Sequence, residues 1–219
     1  MELIKRNQKH GFGSFGDVKI SMLEGTIISA FFPEAQEMTI KEIQERIEYE
    51  RTYERVNSAL KSLTEKKIVK EEQKGKTLVY SLDLQNLYAE SMGFGAYMLD
   101  REIDFIKKHR VLFNAIKRVI ESPYVWAVIL FGSYSKGTET KQSDVDLICL
   151  SNKKQETEHL VKSLKHEYNI NFVPIVMAPH EFPNIKKDNP ELWHDLKLYG
   201  IVFKGDDTFY YWMYKDEKY

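Results

Sequence analysis

Seven consecutive apolar residues, Val125–Phe131 (VWAVILF), end at a Gly-Ser pair, and a second apolar run follows a short way on, led by two aspartates: SDVDLICL at 143–150. An uninterrupted apolar run has no solvated face, so it predicts a central strand covered on both sides. Residues 145–150 predict a second strand, with a short turn or helix between the two. Residues 156–167 then read as a helix, 172–177 as a third strand and 190–199 as the start of a last helix. Strands alternating with helices restrict this half of the chain to a small α/β layer arrangement.

The first half has a different period. Val18, Ile20, Leu23, Ile27, Ile28 and Phe31 recur at helical spacing over residues 17–32, and Pro33 stops the run. Thr39 and Glu42 have capping-box spacing ahead of a second helix, whose stripe is Ile40, Ile43 and Ile47. Tyr53, Val56, Leu60 and Leu63 share one face of a third. The pattern then changes to alternation, giving two strands over 68–73 and 77–83 joined by Lys74-Gly75-Lys76. Three helices followed by a hairpin describe a winged helix-turn-helix over about 17–83. A long helical pattern follows over 97–120 (Leu99, Ile103, Ile106, Phe113, Ile116, Ile120), and Gly93 and Gly95 read as a hinge before it. The fold class is therefore α+β, with a winged-helix domain and its N-terminal lead-in at 1–92 and an α/β domain opening on a long helix at 93–219.

Composition removes several classes. Cys149 is the single cysteine, which excludes an internal disulfide and a cysteine zinc site and reads as a core thiol on an inner strand. No apolar stretch has the length of a signal peptide or a membrane span, so the expected location is cytoplasmic with no membrane partner. The six histidines never fall at metal-ligand spacing. The glycines of 11–16 imitate a dinucleotide loop but lack a preceding strand, and read as a flexible lead-in. Gly132 to Thr138 imitates a P-loop without the Lys-Ser/Thr pair. The aromatic segment FYYWMY at 209–214 reads as packing against the body or a partner subunit.

Net charge is -1 overall, so no whole-chain signal points to nucleic acid, but its distribution is uneven. Residues 17–50 hold three basic and eight acidic side chains, and residues 51–76 hold eight basic and four acidic. The positive excess falls on the third helix and the wing. Arg51, Thr52, Arg55 and Asn57 in the first turns of that helix, with Lys74 and Lys76 at the wing tip, are the expected contacts to double-stranded DNA. A single helix reads only a short half-site, so a homodimer is expected. Glu50 and Glu54 flank this surface, and winged helices also serve as protein-interaction modules.

The chemistry concentrates in residues 131–147, FGSYSKGTETKQSDVDL. Asp144 and Asp146, two apart on a strand, project to one face. Adjacent anions are costly unless a cation sits between them, and a hard divalent ion such as Mg2+ suits carboxylate and phosphate oxygens together. Gly132 allows close approach of backbone to a ligand, Ser133 offers a hydroxyl, and free N–H groups at the next helix start suit a phosphate. A lone Asp-x-Asp is usually a solvated strand edge. Here the preceding buried strand and Gly-Ser pair favour phosphoryl chemistry on a nucleoside triphosphate.

Gly132, Ser133, Gly137, Ser143, Asp144, Asp146 and Leu147 together resemble the signature of the nucleotidyltransferase superfamily related to DNA polymerase beta, and most closely its minimal, MNT-type members. The resemblance covers about 97–205 and implies a nucleotidyltransferase fold with a small mixed sheet. It also implies that Gly132, Ser133 and Ser143 serve the nucleotide and that Asp144 and Asp146 are the catalytic metal ligands. Lys136 would neutralise phosphate charge or lie at the surface. In such enzymes a hydroxyl attacks the α-phosphate and pyrophosphate leaves. One departure stands out: active members place a third carboxylate on the later strand, where this chain has Asn171, and an amide cannot act as a general base. Two functions are therefore expected. One is a magnesium-dependent transferase of nucleoside monophosphate to a hydroxyl, carrying a DNA-binding module. The other is a transcriptional regulator whose transferase fold is a silent nucleotide sensor or dimerisation platform. The resemblance also raises a HEPN-type toxin as a partner, although the chain itself holds no toxin element.

Overall fold

A computed structural model describes residues 14–15, 18–47 and 52–215, and divides the chain into two compact units, Met1–Tyr97 and Met98–Tyr219. Arg51, Glu50 and all of the glycine-rich lead-in except Ser14 and Phe15 lie outside the described residues. The division falls a few residues beyond the expected 92/93 boundary.

In the first unit, β1 (Ser14–Phe15) pairs antiparallel with β2 (Val18–Lys19). Helices α1 (Met22–Ala30), α2 (Ile40–Arg46) and α3 (Tyr53–Glu65) follow, then the hairpin β3 (Val69–Lys74) and β4 (Thr77–Leu82). The first helix starts later than its apolar period suggests because Ser21 caps it. The Ser21 N–H donates to Glu24 Oε2 at 2.7 Å, and the Glu24 N–H donates to Ser21 Oγ at 3.3 Å. Thr39 and Glu42 form the second box at 2.7 and 3.3 Å. These boxes satisfy orphan N–H groups at both helix starts. Met38 exchanges backbone hydrogen bonds with Tyr80 at 2.9 and 2.8 Å, which gives the wing a third partner. Register Lys74↔Thr77 leaves Gly75-Lys76 as the tip, and Gly75 takes φ +63°.

Ile27, Ile28, Phe31, Ile43, Val56, Leu60, Leu63 and Ile68 are fully buried and form this unit's core. Tyr53, expected on the same stripe, is 53% exposed. It is the first residue of α3, before the helix has closed on α1 and α2. Glu24 is a buried carboxylate at the centre of this packing. Its Oε1 accepts from Ser62 Oγ at 2.8 Å and from the Lys66 ammonium. Burial opposes its ionisation, but Lys66, the Ser21 N–H and the Ser62 and Ser21 hydroxyls outweigh burial and hold its pKa below the usual carboxylate value.

Gly93 and Gly95 do not form a hinge loop. Gly93 lies in a π-helical turn, Ala89–Phe94, that runs directly into α4 (Gly95–Lys108). A Cβ on Gly93 would lie 2.7 Å from Phe32 Cε2 and 2.9 Å from Ile28 Cγ2, so the turn packs on α1 at a distance that only glycine permits. A Cβ on Gly95 would make an ordinary 3.5 Å contact.

The second unit begins within α4. The expected single helix over 97–120 is two, α4 and α5 (Arg110–Ile120), broken at His109 with φ -129° and ψ 46°. His109 packs there on Phe105 and Tyr134, with ring centroids 4.9 and 5.4 Å away. Its Nε2 lies 3.3 Å from Glu139 Oε1. The break changes the phase of the apolar stripe. Leu99 and Ile103 are 53% and 40% exposed, while Met98, Phe105, Leu112, Ala115, Ile116 and Val119 are buried.

The sheet contains β5 (Val125–Phe131), β6 (Val145–Ser151), β7 (Phe172–Met177) and β8 (Ile201–Lys204) in the order β7-β6-β5-β8. Strands β6 and β7 are parallel, and β5 is antiparallel to both β6 and β8, so the sheet is mixed. Both central strands are buried almost throughout, which requires cover on each face. Helices α5 and α7 (Lys154–Tyr168) pack on the sheet and on each other, and the turn Pro179–Asn184, α9 (Pro190–Tyr199) and α10 (Asp206–Tyr210) also pack on β5 or β6. Two short helices, α6 (Gly132–Lys136) and α8 (Ile185–Asp188), and a final π-helical turn, Tyr211–Lys215, complete the described unit. Burial pushes the Cys149 thiol up to about 12, as an inert core residue requires. The aromatic tail packs on the body, with Phe182 meeting Phe209 and Trp212 at 6.1 and 5.3 Å. Among the described residues no helix is long and apolar enough to cross a membrane.

Gly93→Ala should destabilise the protein by about 1–3 kcal/mol, because the added methyl overlaps Phe32 and Ile28. Gly95→Ala should be neutral or stabilising by up to about 1 kcal/mol. Urea unfolding of the two variants checks this contrast.

Candidate active site

The register of β5 against β6 builds the site. Phe131, the last residue of β5, pairs with Asp146. The next residue must turn away at once, and Gly132 does so at φ +72°. A Cβ on Gly132 would lie 2.1 Å from Asp146 Oδ2, so the carboxylate fills the space that any other residue's side chain would need. The chain then makes the single turn α6. Ser135 Oγ donates to the Gly132 carbonyl at 3.0 Å, and Gly137 at φ +69° ends the turn. Ser133 is half-buried beside it. Its carbonyl accepts from Gly137 and Thr138, and its hydroxyl has no hydrogen-bond partner among the described residues.

Asp144 and Asp146 leave the same face of the chain, with Asp144 exposed and Asp146 half-buried. Burial, and then the charge of Asp144, push the Asp146 carboxyl above the usual carboxylate range. Strand β7 brings Asn171 alongside. Asp146 pairs with Val173 and Val145 with Phe172, so Asn171 and Val173 flank the aspartates on their own face. Asn171 Nδ2 donates to Asp144 Oδ1 at 2.7 Å. Two repelling carboxylates beside an amide are a hard-oxygen donor set, and they fit a divalent cation that also takes ligand oxygens and water. Among the described residues no group of three or more His, Cys, Asp and Glu is placed to hold a metal.

Other residues of the motif have protein partners. Lys136 Nζ sits 2.6 Å from Asp195 Oδ2 and 5.2 Å from the centre of the Tyr199 ring, both on α9. Ser143 Oγ accepts from the Thr140 N–H at 2.9 Å and so shapes the loop before β6. Sequence reasoning passed over Arg101 of α4. Its Nη2 donates to the Ser135 and Tyr199 carbonyls at 3.0 and 2.7 Å, and its Nη1 donates to the Leu198 carbonyl at 3.0 Å. An arginine on an amphipathic helix reads as solvated, and no signal in the sequence marks these carbonyls as its partners.

In the other unit, Thr52 and Arg55 are exposed at the start of α3, Asn57 is half-buried, and Lys74 and Lys76 are exposed on the wing. Lys74 is paired on the surface, its ammonium 2.5 Å from Glu37 Oε2, and that bond raises its pKa; an exposed pair of this kind holds little against a phosphate. The Thr52 hydroxyl bonds to the Glu54 carboxylate. Arg51 lies outside the described residues.

Comparison with known proteins agrees with this division. Residues 112–197 match the nucleotidyltransferase domain family, and residues 20–92 match the penicillinase repressor family. A Methanocaldococcus jannaschii protein, provisionally named a protein adenylyltransferase, is 33% identical over 89 residues, which is 37% of this chain and 60% of the relative. The chain therefore carries a nucleotidyltransferase domain, preceded by a winged-helix domain of the penicillinase-repressor type.

Proposed function

We propose that the C-terminal unit transfers a nucleoside monophosphate from a triphosphate to a hydroxyl acceptor with Mg2+, and that the N-terminal unit binds duplex DNA. The observation that carries the first part is Asp146 closed against Gly132 with Asp144 beside it, where burial first and the Asp144 charge second raise the pKa of Asp146. In this reading Asp144 and Asp146 hold the cation, which when bound neutralises phosphate charge and polarises the phosphoryl group. Gly132 and the Ser133 hydroxyl receive the triphosphate. Lys136 is shared with Asp195 and would neutralise phosphate charge by exchanging that exposed partner for the phosphate. The name of the Methanocaldococcus jannaschii relative supports adenylate as the transferred group and a protein as the acceptor.

A second reading has its own observation. Asn171, bonded to Asp144, cannot accept the proton of an attacking hydroxyl. In that reading the unit binds nucleotide without turnover and serves a DNA-bound regulator as a sensor. The positive excess of residues 51–76 and the exposed Arg55 and Lys76 support duplex binding in either case, and a homodimer would place two α3 helices on adjacent half-sites.

Incubation with α-labelled ATP and Mg2+ separates the two readings. Transfer of label to protein supports the first, and binding without transfer supports the second. Asp146→Asn should lower transfer by roughly two to three orders of magnitude, since it removes a metal ligand. Transfer that survives this change contradicts the reading. Because Asp146 holds its proton to higher pH than an ordinary carboxylate, protons compete with Mg2+ there, and Mg2+ affinity should weaken as pH falls towards the carboxylate range. Titration calorimetry at several pH values measures this.

Arg55→Ala should weaken binding to a cognate duplex by about 1–3 kcal/mol, and Lys76→Ala should reduce the salt slope by about 1. Fluorescence anisotropy across a salt series reads both. No binding to any duplex at low salt contradicts the DNA-binding assignment, and affinity equal for every sequence contradicts the regulator reading.

A further inference from the structure

The geometry points to Arg101 as a positioning residue for the phosphate-receiving turn: it would act on nucleotide affinity through backbone carbonyls without touching the nucleotide. The inference rests on the nucleotide-binding reading above. Helix α6 is five residues long, too short to hold its shape by itself. Its conformation is set by Gly132, by the Ser135 hydroxyl, by Gly137 and by whatever satisfies its last carbonyls. Arg101 supplies that last element. One guanidinium joins the Ser135 carbonyl of α6 to the Leu198 and Tyr199 carbonyls at the end of α9. Its planar fork suits three acceptors at fixed positions, and its positive charge complements the negative ends of both helices.

Lys136 also ties α6 to α9, through Asp195 and the Tyr199 ring, but the Lys136 and Asp195 side chains are 33% and 41% exposed, and exposed pairs hold little. This is the tie that a phosphate would break by taking Lys136. Arg101 is therefore the fixed point that keeps the Ser133 hydroxyl in place while Lys136 changes partner. Asp144 and Asp146 are placed differently, by the pairing of β6 with β5 and β7. Loss of Arg101 should then weaken binding of a triphosphate and leave binding of the bare cation intact, a separation that general loss of stability would not produce.

The test is calorimetry on the full chain with Mg2+ alone and with ATP plus Mg2+. Arg101→Ala should raise the Kd for ATP–Mg2+ at least tenfold while Mg2+ alone binds within twofold of wild type. Arg101→Lys, with a point charge in place of a fork, should fall between. ATP affinity equal to wild type in Arg101→Ala overturns the inference and leaves the nucleotide reading standing. Equal losses for Mg2+ and ATP also overturn it, since the residue would then be only structural. Wild type that fails to bind ATP–Mg2+ overturns the nucleotide reading and the inference with it. Should Arg101→Ala not fold, hydrogen exchange on Arg101→Lys decides. The Gly137 and Thr138 amides, which donate to the Ser133 carbonyl, should exchange faster than in wild type while β6 stays unchanged. Unchanged exchange at those two amides refutes the role.

Discussion

Pairing of Phe131 with Asp146 places a carboxylate where the next residue's Cβ would otherwise stand, and much of the C-terminal unit follows from that contact. Gly132 is favoured there because its φ of +72° strains any L side chain, and a Cβ would also displace the Asp146 carboxylate from the place it occupies. The chain must bend at the same point, so the turn α6 and the two aspartates share one end of the sheet. The apolar runs of β5 and β6 bury both strands and fix the register; a slip of one residue would turn both carboxylates into the core. The sheet thus supports two like charges side by side, and the raised pKa of Asp146 reflects its burial first and the charge of Asp144 second.

The N-terminal unit solves a different electrostatic problem. Glu24 completes a helix cap and then reaches Ser62 and Lys66 at the far end of α3, so a single carboxylate ties the start of α1 to the helix that carries Arg55. Lys66 and Lys74 are both counted in the positive excess of residues 51–76, yet Lys66 is held by the buried Glu24, and Lys74 makes a weak exposed pair with Glu37. The field presented to a phosphate backbone is therefore smaller than the sequence count implies. It rests more heavily on Arg55 and Lys76.

Hydrophobic period made much of the architecture legible. Continuous apolar runs marked β5 and β6, alternation marked the wing, and Thr39 with Glu42 marked the start of α2. The same box at Ser21 and Glu24 was equally readable from its spacing, and it explains why α1 starts where it does. Other features depend on contacts between distant segments. Strand β8 is four residues long and becomes a strand by adding to the edge of β5. The break at His109 interrupts an unbroken apolar period because Tyr134 and Glu139, far along the chain, receive its ring. Gly93 looks like a hinge in sequence because the side chains that crowd it, Ile28 of α1 and Phe32 just after it, lie far along the chain. In the site, Gly132, Asp144 and Asp146 were legible from spacing, and Asn171 as the residue where a carboxylate was expected. Its hydrogen bond to Asp144 and the three carbonyls held by Arg101 were not, since both are products of tertiary packing.

The central claim is that Asp144 and Asp146 together hold a divalent cation at the mouth of the Gly132 turn. Crystals grown with Mn2+ and a non-hydrolysable ATP analogue test it most directly, through the anomalous signal of the ion. The account predicts a peak with oxygens of both aspartates at about 2.1 Å, the octahedral spacing for magnesium, and with phosphate oxygens completing the shell beside Ser133. A peak that touches only one aspartate, or an ion and nucleotide bound away from the end of β5, would contradict it.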